Sequence, residues 1–205
     1  MVHEYPLGGR PPMMTPIFAN GIGERVIACK GAPERVLRQS SLSEAQRAAV
    51  LAQVETLASQ GLRVLGVAEA GHSGENYPAD QEAFTLHFLG LVAFHDPPKA
   101  NIAEVFQQFY TAGIAVKIIT GDNALTTAAI ARQTNFRGAE HTMDGSELMK
   151  LDDAALRQEV DRTNIFTRMF PEAKLRIIQA LQAQGQVVAM TGDGVNDGPA
   201  LKAAH

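Results

Sequence analysis

Thr191-Gly192-Asp193-Gly194-Val195-Asn196-Asp197 is the stretch on which the reading of this sequence turns. It follows Gln186–Met190, an apolar run of strand length, and a short helical pattern starts at Gly198. A strand that stops at Thr-Gly and turns into a helix presents backbone N–H groups, a hydroxyl and a positive helix end, all suited to an anion. Glycine removes the side chain that would keep a phosphate from the backbone. Asp193 and Asp197, two carboxylates on one tight loop, suit Mg²⁺, which takes one or two protein carboxylates plus phosphate oxygens. Asn196 adds a neutral donor for a phosphoryl oxygen. Seven specified residues, at roughly one in twenty per position, arise by chance about once in 10⁹. An ordinary glycine-rich turn is therefore a poor account of the segment.

A shorter copy lies upstream. Thr120-Gly121-Asp122 ends the run Ile114–Ile119 and precedes a helical pattern over Ala124–Gln133. Alone, turn and cap chemistry would explain it; paired with the second loop, it reads as half of a site. Between the two lies Arg168-Met-Phe-Pro-Glu-Ala-Lys174. Pro171 opens a helix over Glu172–Ala183, which places Lys174 in the first turn. A cation there opposes the helix macrodipole unless it faces an anion.

Outward from these loops, strands alternate with helices from Phe84 onward. The expected order is strand Leu86–Phe94, helix Ala100–Tyr110 and strand Ile114–Ile119, then helix Ala124–Gln133. A short helix near Asp153–Val160 follows, then strand Asn164–Thr167, helix Glu172–Ala183 and strand Gln186–Met190. That alternation implies a parallel sheet, which binds ligands beyond the C-terminal ends of its strands. Residues 1–83 differ in texture. A Pro/Gly-rich entry leads to short β-like runs at Met13–Phe18 and Arg25–Cys29. A helix follows, with Ser43 and Gln46 as a capping box, an apolar face from Ala45 to Ala58, and Gly61 as terminator. Leu62–Ala68 reads as a strand and Gly71–Pro78 as a loop.

The chain has 205 residues, with Lys+Arg 18 against Asp+Glu 22 and a net charge of −4. With 45% hydrophobic residues it has the apolar mass for a core, which excludes disorder as the main state. The mild acidity argues against a nucleic-acid partner. One cysteine, Cys29, excludes an internal disulfide and reads as a buried strand residue in a reducing compartment. No run reaches the length of a membrane helix and the start of the chain is not a signal peptide, so the expected location is cytoplasmic, with no membrane insertion by this chain. His3, His72, His87, His95, His141 and His205 lack metal-ligand spacing. Met13-Met14 and Phe84, Phe88, Phe94, Phe106 and Phe109 read as core, and the Lys150–Asp161 charges as a solvated helix face.

These motifs together resemble a known family. Thr120, Lys174 and the Gly192-Asp193…Asp197 cluster follow the later motifs of the haloacid dehalogenase-like phosphotransferase fold. Thr191–Asp197 with Pro199-Ala-Leu-Lys202 looks like the hinge segment of P-type cation-transporting ATPases. Lys30-Gly-Ala-Pro-Glu34, Asp96-Pro-Pro-Lys99 (with Lys for the family's Arg) and Thr120-Gly121-Asp122-Asn123 match further motifs in the family's order. The style of Glu4-Tyr-Pro-Leu7 and of Thr120–Ala131 is similar to bacterial calcium-type pumps.

The resemblance implies an α/β fold: a Rossmann-like, haloacid dehalogenase-type parallel sheet, incomplete, plus a partial α+β nucleotide-binding domain. Residues 1–83 would be the C-terminal part of the nucleotide-binding domain and 84–205 the phosphorylation domain without its first strand. ATP and Mg²⁺ are the implied cofactors. Lys30 would lie in the ATP cleft and Arg63 would reach the nucleotide phosphates, while Asp122 and Arg168 would contribute to cofactor binding. The family's stacking aromatic near Leu7 is replaced by Leu, with Tyr5 two residues away. Thr120 and Gly121 would hold the transferred phosphoryl, Lys174 would neutralise its charge, and Asn196 would hydrogen-bond it. Asp193 would bind Mg²⁺, and Asp197 would orient Lys174 or the metal shell.

The family's nucleophile, an Asp in Asp-Lys-Thr-Gly-Thr, is missing: no Asp here is followed by Lys-Thr. The expectation is thus a portion of a pump, not catalytically competent alone, whose partners are ATP, the actuator domain and the membrane helices of the parent protein. Two alternatives stand beside it. A soluble phosphatase of the same fold would need an early Asp-x-Asp, which is absent. A non-catalytic nucleotide-binding or regulatory module would use Lys30 and Arg63 without forming a phosphoenzyme. A Rossmann dinucleotide binder lacks its Gly-x-Gly-x-x-Gly and is set aside.

Overall fold

Alternating burial marks the strands of the first half, as along Met13–Ile17, where Met13, Thr15 and Ile17 are buried and Met14 and Pro16 are partly exposed. The computed structural model describes residues 1–9, 11–72, 76–192 and 194–205. Contacts divide the chain into two units, Met1–Asp96 and Pro97–His205.

Unit 1 is an antiparallel meander of β1 (His3–Gly8), β2 (Met13–Ala19), β3 (Arg25–Gly31), β4 (Arg63–His72) and β5 (His87–Phe94), in that order. Helices α1 (Pro33–Arg38) and α2 (Glu44–Ser59) are inserted between β3 and β4. Met13, Ile17, Ile27, Cys29 and Ala68 point to one face and pack with Val36, Phe84 and Leu86. Thr15, buried among them, donates to Gln81 Oε1 at 2.7 Å, so the turn at Gln81–Ala83 is pinned to the sheet.

Several expectations change here. The Pro/Gly-rich entry forms β1. Its Pro6 is accommodated because β1 is an edge strand with a register irregularity between Tyr5 and Gly8. The run at Leu86–Phe94, expected to open the parallel sheet, is β5 and pairs antiparallel with β4. The texture change at Phe84 therefore precedes the contact boundary at Asp96/Pro97. Ser43 and Gln46 do form a capping box, and Gly61 takes φ +83 beyond the helix. The apolar face of α2 is not buried, however: only Ala58 is, and Leu51 is 38% exposed. Gly71 and His72 belong to β4, and residues 73–75 of the expected loop lie outside the described residues.

Unit 2 carries a three-stranded parallel sheet in the order β6 (Ile118–Ile119), β8 (Ile165–Thr167), β7 (Thr142–Asp144). Its helices are α3 (Ile102–Thr111), α4 (Ala124–Gln133), α5 (Gly145–Leu148), α6 (Asp153–Arg162), α7 (Pro171–Ala183) and α8 (Gly198–Ala203). Leu148, Val160, Phe166, Ile177, Ile178 and Leu181 form the main core. The strand expected over Ile114–Ile119 shortens to two residues, with Ile114 49% exposed.

The expected strand Gln186–Met190 is not in a ladder. The backbone of Val188 pairs with the last residue instead: His205 N–H donates to Val188 O at 2.9 Å, and Val188 N–H donates to His205 Nδ1 at 3.2 Å. Phe94 and Phe109 are exposed (49% and 41%), contrary to the core reading. Glu159 departs from the solvated face: it is buried, accepting from Arg162 and Thr163. Among the described residues no helix is long and apolar enough to cross a membrane.

Candidate functional site

The parallel strands of unit 2 share one direction, so their C-terminal ends fall on one rim. Thr120-Gly121-Asp122 follows β6, Arg168-Met169 follows β8, and Gly145 follows β7. Backbone bonds stitch these corners together. Thr120 N–H donates to Phe166 O, Met169 N–H to Thr120 O and Arg168 N–H to Asp122 O, each at 2.9 Å. Asp122 N–H also donates to Thr120 Oγ1 at 3.1 Å, which orients the hydroxyl while its own proton can serve another acceptor. Asn123 caps α4 through Thr126 N–H. A Cβ at Gly121 would meet only Met169 O, at 3.8 Å, so the approach to this corner is open.

Arg168 takes φ +50, rare for a side chain of its size. Its carbonyl lies so close to Gly145 that a Cβ there would sit 2.6 Å away. Its Nε is 3.9 Å from Asp144 Oδ2. Asp144 was not among the candidates from sequence. Asp144-Gly145-Ser146 carried the signal, since Asp144 Oδ1 caps α5 by accepting from Ser146 N–H at 2.8 Å.

Three residues after Met169–Pro171, the first turn of α7 presents Lys174. Its amine donates to Asp197 Oδ1 at 2.6 Å, and both side chains are about nine-tenths buried (10% and 11% exposed). The expected anion in front of this lysine is thus a carboxylate of the decisive loop. Asp197 Oδ2 accepts from Gly194 N–H at 3.2 Å, within the turn Val195–Asp197. The Lys174 hydrogen bond, helped by the Gly194 amide and the lysine charge, holds the Asp197 carboxyl below its ordinary range against the opposing effect of burial. A Cβ on Gly192 would lie 2.6 Å from Asp197 Oδ2, so any side chain there would push the carboxylate from its place. Asn196 is exposed on the same turn.

Asp193 lies outside the described residues. Asp197, the other expected Mg²⁺ carboxylate, accepts from the Lys174 ammonium on one oxygen and from the Gly194 amide on the other, and each oxygen keeps a further lone pair. Among the described residues the rim thus carries the Thr120 hydroxyl, whose oxygen is held by Asp122 N–H, and the loop carries the Lys174 ammonium in its pair with Asp197.

Lys30 and Arg63 belong to unit 1. Lys30-Gly-Ala-Pro-Glu34 is the end of β3 and the start of α1, with Pro33 in the first turn. Lys30 pairs across the sheet with Val67, and Arg63 is four residues before Val67 on the same strand. Even spacing puts both on one face, opposite the core, about 14 Å apart along the strand. Both are exposed. Leu7 is 67% exposed, whereas Tyr5 is buried, with Phe84 and His3 each meeting its ring edge to face.

The model of the haloacid dehalogenase-like hydrolase family matches residues 25–205. Over 219 residues the chain is 39% identical to "Probable cation-transporting ATPase F" of Mycobacterium tuberculosis, covering all of this chain and 24% of that protein. It is 36% identical to "Calcium-transporting ATPase" of Bacillus subtilis, covering all of this chain and 24% of the relative. With "Magnesium-transporting ATPase, P-type 1" of Salmonella typhimurium it shares 36% identity, over 89% of this chain and 21% of the relative. The chain thus spans about a quarter of the length of these curated relatives.

Proposed function

Because the chain belongs to the haloacid dehalogenase-like hydrolase family, we propose that it is the nucleotide- and phosphoryl-handling portion of a P-type cation-transporting ATPase. The observation that carries this reading is the buried pair between Lys174 of α7 and Asp197 of the loop that also holds Gly192 and Asn196. An ammonium fixed in this way serves charge compensation in phosphoryl transfer, where positioning does most of the work.

The nucleotide-binding portion ends with β5, and Lys30 and Arg63 are its nucleotide contacts. The phosphorylation portion begins at Pro97. There Thr120 and Gly121 donate to phosphoryl oxygens, Lys174 neutralises their charge, and Asn196 adds an amide hydrogen bond. Asp122 and Arg168 contribute to cofactor binding. Mg²⁺ falls to Asp193, and Asp197 orients Lys174. Each charge-assisted contact is worth about 1.5–3 kcal/mol. The phosphoryl-accepting Asp, the actuator and the membrane helices are partners in the parent pump, on whose cytoplasmic side this portion works. Ca²⁺ is the favoured cargo, on the name of the Bacillus subtilis relative.

Titration of the chain with labelled ATP tests this: binding is expected, weakened about tenfold by Lys30→Ala. Acetyl phosphate with Mg²⁺ is expected to show no turnover. Turnover that vanishes in Asp193→Ala would replace this reading with that of a soluble phosphatase.

A further inference from the structure

Arg176 lies two residues beyond Lys174 on α7, about 200° around the helix. It therefore faces away from Asp197. Its guanidinium donates to the Leu151 carbonyl at 2.9 Å and reaches those of Met149 and Leu148 at 3.4 and 3.5 Å, with Asp153 Oδ1 also at 3.4 Å. These carbonyls lie where α5 ends; that of Leu148 also accepts from Leu151 N–H, and a planar fork of donors suits several carbonyls at once. Only 23% of the side chain is exposed.

The far end of α5 is equally tied. Asp144 caps its first turn and faces Arg168, and Gly145 packs against the Arg168 carbonyl. The β7–α5 unit thus supports the Arg168 corner at one end and α7 at the other. Helix α7 is gripped on opposite sides, by Asp197 through Lys174 and by the α5–α6 connection through Arg176. Rotation about its axis would break one grip or the other.

We propose that Arg176 is a positioning residue: by locking α7 to the end of α5, it fixes the rotation that delivers the Lys174 ammonium to the rim. The catalytic meaning of this rests on the phosphoryl-handling reading above; the mechanical claim does not.

Rates of lysine acylation by an N-hydroxysuccinimide ester, resolved by peptide mass spectrometry in the full chain, test it without reference to turnover. Lys117 is the internal control, since it is half-buried and held by the Thr163 carbonyl and Asn164. In Arg176→Gln, Lys174 is expected to label roughly tenfold faster while Lys117 stays at its wild-type rate. Arg176→Lys, which keeps one donor for Leu151, is expected to fall between. Lys174 labelling that rises no more than that of Lys117 in either variant overturns the proposal. If Arg176→Gln exposes all lysines alike, Arg176→Lys decides: a rise confined to Lys174 supports the role, and none refutes it. Absence of ATP binding with Lys174 selectively exposed would refute the function and leave the positioning intact.

Discussion

The Lys174 amine and the Asp197 carboxylate meet at 2.6 Å with nine-tenths of each side chain withdrawn from water. Removing either partner strands the other. Lys174→Met should cost about 3 kcal/mol of unfolding free energy, because a buried carboxylate is left without its counter-charge. Urea unfolding of the two proteins at neutral pH measures this directly.

The same pair sets an acid limit. Asp197 titrates below its unfolded value, held there chiefly by the Lys174 hydrogen bond. The folded state then binds fewer protons than the unfolded one. The stabilisation is complete above the unfolded carboxyl pKa of about 3.9 and is lost as pH falls through the depressed folded value. In a stability–pH profile, Asp197→Asn should flatten that acid limb while leaving the slope above pH 6 unchanged.

Two glycines of the rim should respond differently to a methyl group. At Gly192 the added carbon would meet Asp197 Oδ2 at 2.6 Å, so Gly192→Ala should destabilise by about 1–3 kcal/mol. At Gly121 the nearest atom is 3.8 Å away, and Gly121→Ala should stay within about 1 kcal/mol of wild type. Thermal unfolding of both variants separates the cases.

In unit 1, the Ser43 hydroxyl accepts from Gln46 N–H, and Gln46 returns a bond to Ser43 N–H. Ser43→Ala should cost about 1 kcal/mol. Since α2 buries little beyond Ala58, hydrogen exchange should show the loss as fraying of its first turn.

What was legible in the sequence was local chemistry. Helix α4 begins and ends at the expected residues because Asn123 caps it, and α7 starts at Pro171 because its ring suits the first turn. Lys174 facing an anion followed from the macrodipole argument taken together with the two neighbouring glycine loops. Long-range pairing was not legible. Nothing local distinguishes a strand that joins the antiparallel sheet, as β5 does, from one that opens a parallel sheet. Gln186–Met190 has strand composition, yet a strand exists only where a neighbour offers its backbone, and here His205 takes the Val188 groups. Arg176 was invisible for the same reason, its partners at the end of α5 being distant in sequence, and of Asp144 only the local cap on Ser146 was readable, not its approach to Arg168.

At Gly145, the first carbon of any side chain would come within 2.6 Å of the Arg168 carbonyl oxygen, closer than real contacts allow. A saturation library at this codon, selected for soluble expression, would return a single letter. The neighbouring Ser146, whose hydroxyl only leans on Asp144, would return several.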